Sequence, residues 1–151
     1  MEKLHAILNN LESKLPCKDS VKYHVSKSDV AWHIAHSLKV IINVVAVIKK
    51  SDPQQYRWRF NLNRNFVYLF GYIPRGKGRA PKSVLPAEDI TIDLLQTEFA
   101  EARQAVLELA ALDCKHNFNH PYFGQLDLVE TKKFLFLHTM HHLKIIGDII
   151  K

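Results

Sequence analysis

Histidines are the side chains whose spacing in this chain most directly predicts chemistry. His138, His141 and His142 lie in one short stretch near the C-terminus, and His33 and His36 lie far upstream. Residues three or four positions apart share one face of a helix, so His138 and His142 can bind a single metal ion together. A third imidazole from a neighbouring helix would complete a three-histidine site.

Apolar residues recur at helical spacing in four segments, and these predict the helices that must position the histidines. The predicted helices cover residues 4–15, 28–50, 89–112 and 127–150. Ser26 to Asp29 and Asp127 to Glu130 have the spacing of capping boxes at the starts of the second and fourth helices. No stretch alternates with a period of two for long enough to predict a sheet, so the expected fold is all-α.

Helical phase decides which histidines face the core. His138 and His142 are in register with the apolar residues of the fourth predicted helix, so both point inward. On the second predicted helix, His33 falls within the apolar arc and His36 falls near its edge. His33 is therefore the favoured third ligand, with His36 as its rival. The inward pair alone fits a metal site and a hydrogen-bonded core network equally well.

Three histidines leave coordination positions open for water or substrate, which is typical of a catalytic metal site. Imidazole suits zinc, nickel, copper or ferrous iron. No acidic residue lies among the three C-terminal histidines, which argues against an iron site with two histidines and one carboxylate. His141, about 100° round the helix from His142, faces substrate, solvent or another helix. His120 lies in a turn with Pro121, and turn formation is the favoured role of that segment.

A long connection, residues 51–86, separates the second and third predicted helices and contains a short helix near residues 65–70. Connections of this length in compact domains are often functional. Seven cations and no acid lie between Asp52 and Glu88: Arg57, Arg59, Arg64, Arg75, Lys77, Arg79 and Lys82. Arg75 and Arg79 are the favoured residues for binding an anionic part of a substrate. The alternative, a solvated connection with ordinary surface charge, has more weight.

Composition restricts the classes of protein that need to be considered. The 151 residues are 47% hydrophobic, which predicts one globular domain covering residues 1–151. The longest apolar stretch, Val40 to Ile48, carries Asn43 and is too short for a predicted membrane span. Cys17 and Cys114 form no CxxC motif and no disulfide framework, so a reducing cytoplasm is the expected location. The net charge of +6 raises nucleic-acid binding as a hypothesis.

Several of these motifs occur together in a known family. His33-Ile-Ala, the segment His120-Pro-Tyr-Phe-Gly124 and the spacing His138-x-x-x-His142 resemble the DinB-like superfamily, and more narrowly its DUF1569 group. The resemblance covers nearly the whole chain from Trp32 onward. It implies an up-down-down-up four-helix bundle that binds a divalent metal, zinc or nickel being favoured, through His33, His138 and His142. Members with known chemistry are transferases or isomerases that use thiols such as mycothiol, bacillithiol or glutathione.

Three functional classes follow from these patterns. The leading hypothesis is a metal-dependent enzyme of thiol-transfer or related hydrolytic type, acting on a small anionic or thiol substrate. The second is a non-catalytic bundle that forms a homodimer and keeps a structural or vestigial metal. The third, nucleic-acid binding through the basic connection, is least favoured because the segment has no recognised binding motif. The sequence contains no GxGxxG, P-loop, GxSxG or HExxH motif.

Overall fold

The computed structural model describes residues 1–76, 78 and 80–151. Its helices are α1 (Glu2–Glu12), α2 (Val30–Ile48), α3 (Leu62–Phe70), α4 (Ile92–Ala110) and α5 (Leu128–Ile150). One antiparallel hairpin joins β1 (Asn117–His120) to β2 (Gly124–Asp127). The prediction of a helical bundle is confirmed in this coarse form. The short helix α3 and the hairpin are additional to the four long helices.

The long helices pack in a way that makes α2 central. Both α1 and α2 pack against α4 and against α5. The face of α2 toward these helices carries Ile34, Leu38 and Ile41, each fully buried. Burying one such side chain stabilises the fold by roughly 1.5–3 kcal/mol. Burial of the apolar residues that recur at helical spacing is therefore the main reason why α2 and α5 pack together.

Helix α2 has the length and mean hydropathy of a membrane-crossing helix. The apolar stretch considered in the sequence covers only part of this helix. Helix α2 is the one helix among the described residues that meets this criterion, and 67% of the qualifying window is buried inside the protein. Central helices of bundles commonly meet the same criterion because they are apolar on most sides. The apolar surface of α2 is therefore used in packing against α4 and α5.

The caps of α2 and α5 differ in how well the sequence predicts them. Asp127 accepts a hydrogen bond from the Glu130 backbone at 2.8 Å, and the Glu130 carboxylate accepts one from the Asp127 backbone at 3.3 Å. The predicted capping box of α5 is thus confirmed. At α2 the predicted box beginning at Ser26 is wrong, because Asp29 is the N-cap and accepts from the Trp32 backbone at 2.8 Å. The Ser26 side chain is used near the histidines instead.

The hairpin precedes α5 and was not predicted. Each strand has only four residues, too few for alternation to be distinguished from a turn. Phe118 and Leu126 face the core, and Gly124 adopts a left-handed φ of 71° that suits the tight connection. The hairpin places His120 beside the start of α5.

Arg64 links the long connection to the hairpin and to α5. This arginine is 1% exposed, and its guanidinium donates to the backbone oxygens of Arg59 and Gln125 and forms an ion pair with Glu130 at 3.4 Å. Tyr68 adds a 2.6 Å hydrogen bond to the backbone oxygen of Glu130. One of the seven cations therefore has a structural role, joining α3 to α5 and the hairpin.

Candidate metal centre

Three imidazole rings meet where α2 packs against α5. His36 comes from α2, and His138 and His142 come from successive turns of α5. One ligand nitrogen from each ring can be chosen so that all three lie within 4.8 Å of one another. Nitrogens around a tetrahedral zinc ion lie roughly 3.3 Å apart, so modest side-chain rotations would let the three bind one ion.

Burial keeps these rings neutral. Desolvation is the largest cause that lowers the pKa of His36, and it lowers the pKa values of His138 and His142 well below the ordinary range. Repulsion from neighbouring imidazoles adds to the effect on His138 and His142. A neutral imidazole has one nitrogen with a free electron pair, which is the form that binds a metal.

The hydrogen bonds around His36 fit a metal ligand. Its Nδ1 donates to the backbone oxygen of Val84 at 2.9 Å, so in the neutral ring Nε2 carries the free electron pair. Metal-binding histidines commonly donate their other nitrogen to a carbonyl oxygen in this way. The indole of Trp32 stacks on the His36 ring at a centroid distance of 4.9 Å and fixes the ring plane.

His138 provides a second sign that the group fits a metal. Its Nδ1 is buried and has no hydrogen-bond partner among the described residues. A buried polar atom without a partner costs roughly 1–3 kcal/mol, and a bound ligand would remove that cost. Three other described side-chain atoms share this property, on Tyr56, Glu98 and Thr131. For His138, a divalent ion bound by this group would be such a ligand.

His33, the ligand favoured by helical phase, lies beside the group with both ring nitrogens in use. Its Nδ1 is 2.9 Å from Nδ1 of His142, and its Nε2 is 2.9 Å from the Ser26 hydroxyl oxygen. His33 is 4% exposed, so the expected inward position is correct, but His36 is equally buried. The geometry therefore favours His36, the rival residue, as the third ligand.

The contacts of His33 suit a supporting role. If Nδ1 of His142 donates to Nδ1 of His33, and Nε2 of His33 donates to Ser26, then Nε2 of His142 has a free electron pair. Burial, followed by repulsion from His36, His141 and Arg75, lowers the pKa of His33 to about 4, so the ring is a neutral acceptor at pH 7. Ser26 and Val84 were not predicted, because nothing in local spacing marks these contacts.

The three histidines border a cavity of about 770 Å³. Its walls are mainly apolar and come from α2, the connection and the hairpin. His141 also lines it and forms a hydrogen bond with the backbone of Ile73. A metal held by the three rings would therefore face a partly open space large enough for a small molecule.

The two arginines predicted to bind an anion have different outcomes. Arg75 forms an ion pair with Asp148 at 2.7 Å and lines a small neighbouring pocket rather than the large cavity. Arg79 lies outside the described residues, so its predicted role stays a prediction. With Arg64 buried against Glu130, at least two of the seven cations are used within the protein, which weakens the case for a nucleic-acid surface.

Comparisons with protein-family models, curated proteins and solved structures gave no match for this chain. The candidate metal centre therefore rests on the geometry of the chain itself.

Single substitutions test the ligand assignment. In protein purified without a histidine tag, we expect about one equivalent of divalent metal by elemental analysis. His36→Ala, His138→Ala and His142→Ala should each lose stoichiometric metal, whereas His33→Ala should lower affinity by roughly 10- to 100-fold and still bind at saturating metal. His24→Ala changes an exposed histidine and serves as the control. Loss of metal in His33→Ala together with retention in His36→Ala would return the assignment to His33.

Acid should destabilise the metal-free protein through its buried histidines. Burial lowers the pKa of His120 to about 4, below the ordinary histidine value of about 6.5, so the unfolded chain binds more protons between these values. Stability should be complete above pH 6.5 and fall as the pH drops toward 4. Urea unfolding in chelator should show that His120→Asn reduces this slope by up to about 1.4 kcal/mol per pH unit. An unchanged slope would contradict the depressed pKa.

Proposed function

We propose that this protein is a divalent-metal-dependent enzyme that acts on a small molecule bound in the 770 Å³ cavity. The observation that carries the proposal is the position of the histidine group. His36, His138 and His142 all border this cavity, so ligand positions not taken by protein would open toward it. Structural metal sites are normally closed by four protein ligands, and catalytic sites keep one position free.

The protein residues would divide the work between holding the ligands and shaping the cavity. Val84 and Trp32 hold the His36 ring, and the pair His33–Ser26 holds His142. The mainly apolar walls offer few hydrogen-bond partners to water in the space beside the rings. A divalent metal bound here would supply a Lewis acid that lowers the pKa of a ligated thiol or water.

The reaction class is proposed from the resemblance to the DinB-like superfamily. That resemblance supports thiol transfer or isomerisation with a low-molecular-weight thiol, with zinc or nickel as the metal. Hydrolysis is the related alternative, because the same ligand set activates water. Arg75 would bind an anionic part of the substrate only by exchanging its present partner, Asp148.

Metal-dependent turnover tests the proposal. With glutathione and 1-chloro-2,4-dinitrobenzene as probes, sulfur–carbon bond formation releases chloride and a proton. We expect zinc- or nickel-loaded protein to exceed the uncatalysed rate, and chelated protein and His138→Ala to return to it. His24→Ala should keep full activity. p-Nitrophenyl acetate tests the hydrolytic alternative, and activity that survives chelation would contradict metal dependence. Bound metal without turnover of either probe would favour a non-catalytic role.

A second candidate, a homodimeric interaction module, is favoured by one surface. Large apolar side chains are exposed along α3 and the residues just before it, and we call them the α3 strip: Trp58, Phe60, Leu62, Phe66, Leu69 and Phe70. Contiguous apolar surfaces of this kind commonly mark interaction sites. Phe66 also lines the cavity, so a second copy seated on the strip would partly cover the cavity mouth.

Sedimentation velocity across a concentration series tests the dimer. Leu69 is 78% exposed, and we expect Leu69→Glu to shift the protein to monomer by placing a charge in the apolar contact. Leu107→Glu is the matched control, because Leu107 is 56% exposed on α4 and lies outside the strip. A wild-type protein that stays monomeric at all concentrations, or equal effects of the two substitutions, would exclude dimerisation through the strip.

A further inference from the structure

The wall that the hairpin contributes to the cavity contains one polar ring fixed among aromatic side chains. His120 stacks on Phe123 with ring centroids 4.3 Å apart and planes 12° from parallel. Phe134 of α5 packs against the His120 ring edge-on at 4.6 Å. These contacts leave the imidazole little freedom to rotate, so its nitrogens hold defined positions.

Backbone hydrogen bonds determine where the proton of His120 lies. Nδ1 accepts from the backbone N–H groups of Tyr122 and Phe123, both at 3.1 Å. A nitrogen that accepts hydrogen bonds carries no proton, so the neutral ring must carry its proton on Nε2. Burial lowers the pKa of His120 to about 4, which keeps the ring neutral at pH 7.

Nε2 of His120 is then a hydrogen-bond donor without an assigned acceptor. No described residue accepts from it, and it is not among the described buried polar atoms that lack a partner. The ring lines the same cavity as the three histidines of the metal centre. The N–H group is therefore available to a molecule in that cavity. Because the ring is neutral, it can donate a hydrogen bond to an uncharged acceptor oxygen as well as to a charged one.

The rest of the lining is mainly apolar, although Asn43 and Asn119 also line the cavity, and it determines what else such a molecule would present. Val40, Val44 and Val47 line the cavity from α2, and Phe123 and Phe134 line it from the hairpin side. These side chains offer no hydrogen bonds and bury apolar area. A pocket with apolar walls and a few fixed polar groups selects ligands with an apolar body and a matching polar atom.

We propose that the cavity binds a substrate with an apolar, ring-sized body and a carbonyl-type oxygen, and that Nε2–H of His120 donates a hydrogen bond to that oxygen. The proposal deepens the function proposed above and rests on it for the reaction, but not for the binding. His120 would be a substrate-binding residue that orients the oxygen relative to the histidine group. No covalent step is assigned to it.

The protonation of His120 is the first test, and it needs neither metal nor substrate. Long-range 1H–15N NMR spectra of uniformly labelled full-length protein distinguish the two neutral tautomers by their nitrogen shifts. We expect His120 to be the Nε2–H tautomer at pH 7. Observation of the Nδ1–H tautomer would overturn the proposal, because Nε2 would then be an acceptor.

Two probes of equal shape test the hydrogen bond. Acetophenone has a phenyl ring and a ketone oxygen, and isopropenylbenzene replaces that oxygen with a methylene group. Binding is measured by NMR titration of the wild-type protein and His120→Asn. The shorter Asn side chain can still accept from the turn backbone, so the hairpin should remain folded. An unchanged melting temperature, within a few degrees, and unchanged metal content would establish this.

We expect His120→Asn to weaken acetophenone binding by roughly three- to tenfold and to leave isopropenylbenzene binding unchanged. Equal weakening of both probes would overturn the hydrogen bond, because the loss would then be one of shape. Failure of both probes to bind the wild-type protein would overturn the substrate class. Both probes are titrated with and without metal. If the protein binds no metal, the proposed metal-dependent function is wrong, but the result for probe binding still tests the role of His120.

Discussion

Packing of α2 against α5 forces several imidazoles into one apolar interface, and the rest of the site depends on that constraint. A charged ring there would lose its hydration without a compensating counter-ion, so the rings are held neutral. Each neutral ring still has two nitrogens that need partners. Val84 partners His36, and His33 with Ser26 partners His142. Nδ1 of His138 has no partner among the described residues, and a metal would account for it.

The elements outside the four long helices complete this interface. The connection between α2 and α4 supplies Val84, and its helix α3 is joined to α5 through Arg64 and Glu130. The hairpin supplies His120 and Phe123 to the wall of the cavity. A bundle of helices alone would leave the histidine group without these walls, whereas the connection and the hairpin form a partly open cavity beside it. The chemistry that we propose depends on this cavity.

Binding and reaction are separable properties of the site. The mainly apolar walls and the fixed donor of His120 would select a ligand by shape and by an acceptor oxygen. The histidine group would supply the reactive centre through a bound ion. The two groups are neighbours, because Phe134 contacts both the His120 ring and the His138 ring. Phe66 of the exposed α3 strip also lines the cavity. A dimer formed through the strip would therefore restrict access to the cavity.

The sequence by itself determined the four long helices, because apolar residues at helical spacing must be buried together. It also determined that His138 and His142 share one face of α5, which is a local property of helical spacing. By helical phase it favoured His33 over His36, although both are buried in the structure.

Only the tertiary structure favoured His36, through contacts with Ser26, Val84 and His142 that are distant in the chain or unmarked by any motif. The hairpin, with strands too short to show alternation, likewise emerged only in three dimensions. Periodicity reports which face of a helix is buried, whereas the partner of each buried nitrogen depends on how separate elements pack.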